Sequence, residues 1–259
     1  MCFNEPSNIS RIMATTFAMG DLHGNYKALV QCLERSGFNK EEDTLIQLGD
    51  VADGYEHIEV HLCVEELLTI KNLIAIRGNH DVWCHNWFVY GDNSNIWQTQ
   101  GGEFTVRNYE NNPELKEKHF DFWNKQRDYW IDDENRLFVH GGFDLYYGFA
   151  HSKNENTEIR NMKTIHWSRE LADFSLENYG NRAIEHLKQF NEIYIGHTAH
   201  FHTVFNTPSK LNIWNLDTGA GGRGRLTIMN IATKEYWQSD KTNDLYPMQD
   251  TLTTTLIKP

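Results

Sequence analysis

Short apolar segments recur along the chain, and each ends at a cluster of glycine and polar residues. Residues 15–19 lead into the sequence GDLHG at 20–24, and apolar positions then follow at helical spacing until a glycine that would end the helix. Residues 45–48 and 73–76 end in the same way, and residues 58–71 between them have a helical pattern. This alternation of strand-like and helical segments predicts an α/β fold.

The remaining segments have weaker patterns. Residues 91–102 are rich in Gly, Asn and Gln without periodicity, and we predict a long loop over the strand ends. Pro113 opens a predicted helix that runs to about Gln126, supported by Glu114 and Lys118 at the i,i+4 spacing. The C-terminal part is predicted to be mostly antiparallel, with strands at 203–205, 211–216, 226–231 and 235–238.

Length and net charge limit the number of domains and the kinds of binding partner that are expected. The 259 residues are enough for one α/β domain, and residues 1–259 are predicted to form a single domain. Residues 1–12 are expected to be an N-terminal extension, and residues 240–259 a tail without a regular pattern. Acidic residues outnumber basic ones by 36 to 24, and the net charge of −12 opposes stable binding to nucleic acid or to an anionic membrane.

The four cysteines are widely spaced and include no CxxC pair. They are expected to be reduced thiols, which favours a cytoplasmic location. The sequence has no signal-peptide pattern and no apolar stretch of bilayer length, so neither export nor membrane insertion is predicted.

The polar clusters after the apolar segments contain the ligand types that divalent cations bind near phosphate, namely carboxylates, imidazoles and amide oxygens. Six such residues follow five successive segments: Asp21, His23, Asp50, Asn79, His140 and His197. Each short motif alone occurs often by chance. Because the carboxyl ends of neighbouring strands meet at one edge of a sheet, the ordered set predicts a single metal site there.

The same clusters resemble a known family. The ordered set GDLHG (20–24), GDVAD (49–53), RGNHD (77–81), HGG (140–142) and GHT (196–198) resembles the PPP-type serine/threonine phosphatases of bacterial and phage type. These phosphatases belong to the calcineurin-like metallophosphoesterases. The resemblance runs from about residue 14 to residue 238.

The resemblance implies a central β-sandwich flanked by helices, with a dinuclear metal site at the strand ends. It implies that Asp21, His23 and Asp50 bind the first ion, and that Asp50, Asn79, His140 and His197 bind the second. Mn²⁺ is the expected metal, with Fe, Zn, Ni and Mg as alternatives, because oxygen and nitrogen ligands alone do not identify the ion.

The resemblance also implies a mechanism. A hydroxide that bridges the two ions would attack phosphorus, while His80 protonates the leaving alkoxide and Asp53 orients His80. An alkoxide is a poor leaving group at neutral pH, and an imidazole backed by a carboxylate can keep the proton that it needs.

Phosphate binding is implied for Asn79 and for Arg169, whose planar guanidinium suits two phosphate oxygens. The family commonly continues its second motif as Asp-Arg-Gly, but this chain has Asp53-Gly54-Tyr55 and lacks that arginine. Arg77 is expected to form a structural salt bridge. Core packing is expected for an aromatic group, with a substrate platform as the alternative: Trp83, Trp87, Phe88, Tyr90 and Trp97.

The function predicted first is hydrolysis of phosphoserine or phosphothreonine in proteins, or of another small phosphorylated substrate. The alternative is a symmetrical diadenosine tetraphosphate hydrolase, whose motifs look the same. A nuclease or phosphodiesterase is disfavoured by the acidic charge. A non-catalytic scaffold is disfavoured because all six ligands and the Asp53 and His80 pair are present.

Overall fold

Strands and helices are described here from a computed structural model, over residues 14–149, 165–174, 176–200, 205–206 and 212–247. The strands are β1 (Thr16–Met19), β2 (Thr44–Gln47), β3 (Asn72–Ala75), β4 (Tyr129–Ile131), β5 (Arg136–Val139), β6 (Glu192–Ile195), β7 (Phe205–Asn206), β8 (Ile213–Asn215), β9 (Thr227–Asn230) and β10 (Tyr236–Gln238). They form two five-stranded sheets, with the orders β10-β9-β1-β2-β3 and β4-β5-β6-β8-β7.

Parallel pairing dominates the centre of both sheets, and antiparallel strands lie at their edges. β1, β2 and β3 run parallel, while β9 is antiparallel to both β1 and β10. β5, β6 and β8 run parallel, while β4 and β7 pair antiparallel at the two edges. The mostly antiparallel C-terminal part that the sequence predicts is therefore wrong for β8, which continues the parallel core of the second sheet.

The two sheets pack face to face, as the alternation of side chains along each strand requires. Ala18 and Phe138 face the interior between the sheets, where Phe138 stacks on Tyr194 with ring centroids 4.8 Å apart. The neighbours of Ala18 in β1, Phe17 and Met19, point the other way into a core shared with helices. Burial on both faces explains why these strands read as continuous apolar segments, and it confirms the predicted sandwich flanked by helices.

Helices cover the outer face of each sheet. They are α1 (Tyr26–Ser36), α2 (Val60–Leu68), α3 (Asn79–Tyr90), α4 (Asn95–Trp97), α5 (Glu103–Glu110), α6 (Glu114–Lys125), α7 (Leu176–Leu187) and α8 (Thr242–Leu245), with a π-helical turn at Gln98–Gly102. No helix among these residues is both long and apolar enough to cross a bilayer.

Several local predictions need correction. Residues 91–102 contain α4 and the π-helical turn, rather than a loop throughout. Lys118 donates to the carboxylate of Glu65 on α2, because the packing of α6 on α2 offers it that partner in place of Glu114. Arg77 donates to the carbonyl of Trp123, and within the described residues it forms no salt bridge of the kind expected.

The sequence predicts an N-terminal extension and a C-terminal tail. The predicted extension at 1–12 lies outside the described residues, as do residues 248–259 of the predicted tail. Before that point the tail is attached to the domain, because Thr242 is buried and the Tyr246 hydroxyl donates to Glu59 at 2.8 Å. Cys2 is also outside the described residues, and the other three cysteines are free and buried.

Candidate active site

All six predicted ligands lie on loops or helix starts directly after strands. Asp21 and His23 follow β1, Asp50 follows β2, and Asn79 is the first residue of α3 after β3. His140 and His197 follow β5 and β6 in the second sheet. Because both sheets direct these strand ends to the same side, ligands from distant parts of the sequence meet in one cleft, which five of the six line directly.

Asp50 occupies the centre of this arrangement. Its Oδ2 atom lies 3.6 Å from His23 Nε2 and 3.2 Å from His140 Nε2, and its Oδ1 accepts the His80 amide at 2.9 Å. Within the described residues, two groups place three ligand atoms within 4.8 Å of one another, and both contain Asp50: His23, Asp50 and His80 in one, and Asp50, His140 and His197 in the other. Asp50 is common to both groups; the second consists of three predicted ligands, whereas the first contains His80, the predicted acid, and leaves out Asp21.

The geometry around His140 fits a cation. Its Nδ1–H donates to the Leu48 carbonyl at 2.8 Å, so Nε2 points at Asp50 and at Asn79 Oδ1, which is 3.0 Å away. Burial opposes charge on this ring, but the Asp50 carboxylate raises the pKa of His140 above its ordinary value. The raised pKa favours a proton on Nε2 between these acceptors, and metal binding would displace that proton.

The other two ligand histidines are suited to bind as neutral imidazoles. Burial lowers the pKa of His23 to about 4. Burial and the neighbouring His140 lower the pKa of His197 to about 3. The Nε2–H of His197 donates to the Trp167 carbonyl at 3.1 Å, which leaves Nδ1 as its ligand atom.

Asp21 lies in the same cleft but in neither three-residue group. Its Oδ2 accepts the His197 amide at 3.0 Å. Burial and the nearby Asp217 and Asp50 raise its pKa well above the ordinary value. All three carboxylates are at most 5% exposed, so the site concentrates negative charge away from water. Such a concentration needs compensation by cations, and divalent ions bound by oxygen and nitrogen atoms supply it.

His80 and Asp53 form the predicted pair. His80 Nδ1 lies 2.7 Å from Asp53 Oδ2, which also accepts the indole N–H of Trp97 at 2.7 Å, while Asp53 Oδ1 accepts the Thr105 hydroxyl at 2.7 Å. Burial disfavours a charged imidazole, but Asp50 and the hydrogen bond to Asp53 outweigh it and raise the pKa of His80 to about 9. The ring is therefore protonated at neutral pH, with Nε2 left to face the cleft.

Asp81 holds the loop that carries Asp50 and Asp53. Its Oδ1 accepts the amides of Val51 and Ala52 at 2.9 and 3.0 Å, and its Oδ2 accepts the Gly78 amide and the side chain of Gln126, each at 3.0 Å. Asp81 lies within the RGNHD motif, but no role is predicted for it from the sequence. Its position at the start of α3, where acidic side chains are favoured, is the signal that was available.

The backbone of the site is strained at its functional residues. Four of the six non-glycine residues with positive φ among those described belong to the site: His23, Asp50, Asp53 and His197. Such conformations cost about 1 kcal/mol or more each and persist where surrounding contacts enforce them. Gly78 and Gly196 permit the close approach, since a Cβ atom at either would lie 2.1–2.2 Å from a carboxylate oxygen of Asp50 or Asp21.

The cleft has a volume of about 690 Å³, and Arg169 is the one lysine or arginine among the described residues that line it. Arg169 is exposed and donates to the His197 carbonyl and the Thr198 hydroxyl at 3.1 and 3.2 Å. Neither partner is charged, so its positive charge remains free to pair with an anion.

The absence of an arginine at position 54 follows from the backbone. Gly54 has φ +143°, and a Cβ atom there would lie 2.6 Å from the His23 carbonyl oxygen. Gly101 of the π-helical turn packs against the same residue, because its own Cβ would lie 2.7 Å from Gly54 N and O. A side chain at position 54 is excluded in this loop conformation.

The aromatic group divides between the core and the cleft. Phe88 and Trp97 are buried, Trp83 and Trp87 pack against the core, and Tyr90 is exposed. Trp83 also contacts the ring of His80 edge-on, with centroids 5.3 Å apart, and touches Trp167 on the opposite wall. Core packing is therefore confirmed for four of the five, and Trp97 additionally holds Asp53.

Residues 14–207 match the family model for calcineurin-like phosphoesterases, and this match includes every predicted ligand. The chain belongs to the calcineurin-like phosphoesterase family. Family membership implies divalent metal ions, and the group of Asp50, His140 and His197 consists of predicted ligands that are suited to bind one.

Similar proteins include phosphatases of two kinds. The chain is 33% identical over 89 residues to serine/threonine-protein phosphatase 2 of Escherichia coli, an alignment that spans 34% of this chain and 38% of that protein. It is 40% identical over 68 residues to the symmetrical bis(5'-nucleosyl)-tetraphosphatase of Proteus mirabilis, spanning 26% of this chain and 24% of that protein. Less than half of each relative is therefore covered.

A solved structure extends the likeness over most of the fold. The protein serine/threonine phosphatase from Saccharomyces cerevisiae with similarity to human phosphatase PP5 has a TM-score of 0.57 and 15% identity, covering 90% of this chain and 82% of that one. These relatives confirm the predicted resemblance to phosphoprotein phosphatases.

Proposed function

We propose that this member of the calcineurin-like phosphoesterase family is a phosphoprotein phosphatase that hydrolyses phosphoserine or phosphothreonine with two bound divalent ions, Mn²⁺ first among them. Asp21, His23 and Asp50 would bind one ion. Asp50, Asn79, His140 and His197 would bind the other. When bound, such a pair activates water and offsets negative charge on phosphate oxygens.

The observation that carries this proposal is the single free guanidinium in the cleft. Arg169 is the one lysine or arginine among the described lining residues, while Asp217 and Glu103 also line the cleft. One planar cation matches one phosphate group, with Asn79 as a further polar contact, whereas a chain of four phosphates would find no second lysine or arginine among the described residues that line this cleft. A phosphomonoester is the better match.

The proton needed by the leaving group comes from His80. Its Nδ1 is bound by Asp53 and its pKa is raised to about 9, so Nε2 carries a proton at neutral pH. A serine or threonine alkoxide needs that proton, and transfer from a positioned acid contributes roughly 100- to 10,000-fold in rate. Asp53 acts by orienting His80 and by stabilising its charged form.

Hydrolysis of symmetrical diadenosine tetraphosphate is the second candidate. It is favoured by the similarity to the tetraphosphatase of Proteus mirabilis, which is higher in identity but shorter than the similarity to the protein phosphatase. A cytoplasmic location remains a prediction, and the free thiols of Cys32, Cys63 and Cys84 are consistent with a reducing compartment.

The test compares kcat/KM of the Mn²⁺-loaded protein for a phosphothreonine peptide and for diadenosine tetraphosphate, with His80→Asn as the control. We expect the peptide to be preferred, and the variant to lose activity on it. A preference for the dinucleotide would assign the function to the second candidate and leave the metal site unchanged.

A further inference from the structure

A second cavity adjoins the active-site cleft. It has a volume of about 540 Å³ and shares two wall residues with the cleft, Tyr55 and Phe104. Ile58 and Tyr246 add further apolar surface, so a substrate held in the cleft can extend into this cavity without leaving the protein surface. Concave apolar surface continuous with a catalytic cleft is a common site for the part of a substrate that does not react.

Arg223 supplies the positive charge of this cavity. It is the one lysine or arginine among the described residues that line it. Its side chain is exposed, and it makes no hydrogen bond or ion pair with the part of the chain that the structure describes. Two other cations in this region do have partners: Arg225 donates to the Ser239 carbonyl, and Lys27 to the Leu245 carbonyl.

The turn that carries Arg223 is fixed to the metal site. Gly221 in this turn lies against the His23 ring, where an added Cβ would be 2.3 Å from Cδ2. The Gly224 carbonyl accepts the Thr242 amide at 2.9 Å. Arg223 therefore projects from a short segment held at both ends, at a set place relative to His23.

Charge makes this arginine selective. The protein has a net charge of −12, and Glu56 and His57 also line the cavity, so its surroundings do not favour anions in general. An anionic side chain that enters the cavity would be attracted specifically to the Arg223 guanidinium. The aliphatic part of that side chain would lie against the aromatic rings of the cavity wall.

We propose that this cavity is a substrate subsite in which Arg223 pairs with an acidic side chain that flanks the phosphorylated residue of a peptide. The proposal rests on the proposed phosphoprotein phosphatase function. It makes Arg223 a specificity-determining residue for acidic phosphopeptides, distinct from Arg169, which faces the reacting phosphate.

The test uses two phosphothreonine peptides that differ only in having Glu or Gln at the flanking positions, with p-nitrophenyl phosphate as a substrate that has no flanking residue. Wild type is expected to prefer the Glu peptide by about two- to fivefold in kcat/KM, the range of an exposed ion pair. R223A should abolish that preference through KM, and R223E should reverse it, because the contact is the same in the ground and transition states. K188A removes an exposed cation in the turn that follows α7 and should keep the preference.

The outcomes separate this proposal from the function on which it rests. The subsite would be overturned if wild type and R223A each cleaved both peptides equally well. It would also be overturned if R223A lost as much activity on p-nitrophenyl phosphate as on the Glu peptide. Either result would leave the phosphatase function standing. Cleavage of diadenosine tetraphosphate and of neither peptide would overturn the function itself. If R223A lost activity on diadenosine tetraphosphate alone, Arg223 would be assigned to binding the polyphosphate chain. That result would contradict the peptide subsite.

Discussion

The two halves of the active site are built differently. In the half that follows β1, β2 and β3, carboxylates bind the functional loops together: Asp81 accepts three backbone amides, and Asp53 accepts Trp97, Thr105 and His80. In the half that follows β5 and β6, the functional side chains donate to backbone carbonyls. His140 donates to Leu48, and Arg169 to the carbonyl of His197.

This difference has a functional meaning. A carboxylate that accepts several donors fixes both the position and the charge of its neighbours, which suits acid–base chemistry. A cation that touches only neutral carbonyl and hydroxyl oxygens keeps its charge for an incoming anion. Arg169 and Trp167 are also exposed, unlike Asp53 and Asp81. We therefore expect changes in the first half to lower kcat, and changes around Arg169 to raise KM.

Asp50→Asn tests the residue that joins the two halves, and it should have the largest effect. Asp50 lies between His23 and His140, the predicted ligands of two different ions, and asparagine keeps its shape but removes the shared charge. We expect at least one metal ion per chain to be lost, with a fall in kcat/KM beyond the roughly 100- to 10,000-fold supplied by acid–base catalysis. Elemental analysis and steady-state kinetics measure both. Asp121→Asn, at an exposed ion pair, is the control, and full metal content with normal activity would refute the shared site.

His80→Asn should have the next largest effect, and the effect should depend on the leaving group. On a phosphothreonine peptide we expect kcat to fall by about 100-fold or more, because the alkoxide then leaves without a proton. On p-nitrophenyl phosphate the fall should be much smaller, since that phenolate is stable near neutral pH. Metal content should stay unchanged. Equal losses on both substrates would contradict the role of His80 as the acid.

Asp53→Asn should shift the pH dependence of activity, and it should change the rate at low pH to a smaller extent. The pKa of His80 is raised to about 9 by Asp50 and Asp53, so the acid form persists at neutral pH and is lost as pH rises through that value. Wild-type activity on the peptide should therefore decline on the alkaline side, where the acid form of His80 is lost. Without the Asp53 charge the pKa falls, and the decline should begin at lower pH. An alkaline limb that does not move would show that His80 is not the titrating group.

The fold and the ligand set could be predicted because both depend on local signals. Strands that are buried on both faces appear in the sequence as apolar segments. Each predicted ligand lies shortly after one of these segments. Asp50, for example, comes two residues after the apolar segment 45–48. Parallel pairing then brings these ends together without further information.

The supporting contacts could not be predicted because they join distant residues. Trp97 reaches Asp53 across 44 positions, and Asp81 reaches Val51 across 30. Residues 98–102 form a π-helical turn in which Gly101 has φ +100° and packs against Gly54. No periodicity marks such a turn, because the contact with Gly54 determines it. The free guanidinium of Arg223 likewise depends on which neighbours the fold provides.

Arg169→Ala tests the substrate-binding half. The guanidinium is expected to bind phosphate through charge-assisted hydrogen bonds, which contribute about 1.5–3 kcal/mol. We expect KM for the phosphopeptide to rise by about 10- to 150-fold. Arg169→Lys should fall between wild type and alanine, because it keeps the charge but loses the planar fork. A loss confined to kcat with unchanged KM would contradict the division between the two halves.

Trp97→Phe should have the smallest effect on turnover. The change keeps most of the buried ring but removes the N–H donated to Asp53, whose remaining partners are Thr105 and His80. Loss of one buried hydrogen bond should lower the free energy of unfolding by about 1–3 kcal/mol, measured in urea. We expect kcat to fall by less than about tenfold, because a carboxylate with two partners still orients His80.

Trp123→Phe is the matched control for that variant. Trp123 is also fully buried, and its indole donates to the Tyr109 hydroxyl at 3.0 Å, away from the cleft. It should lower stability by a similar amount and leave kcat unchanged. If both variants lowered kcat equally, the effect of Trp97 would be one of general stability. The hydrogen bonds to Asp53 would then not explain why the first half of the site determines turnover.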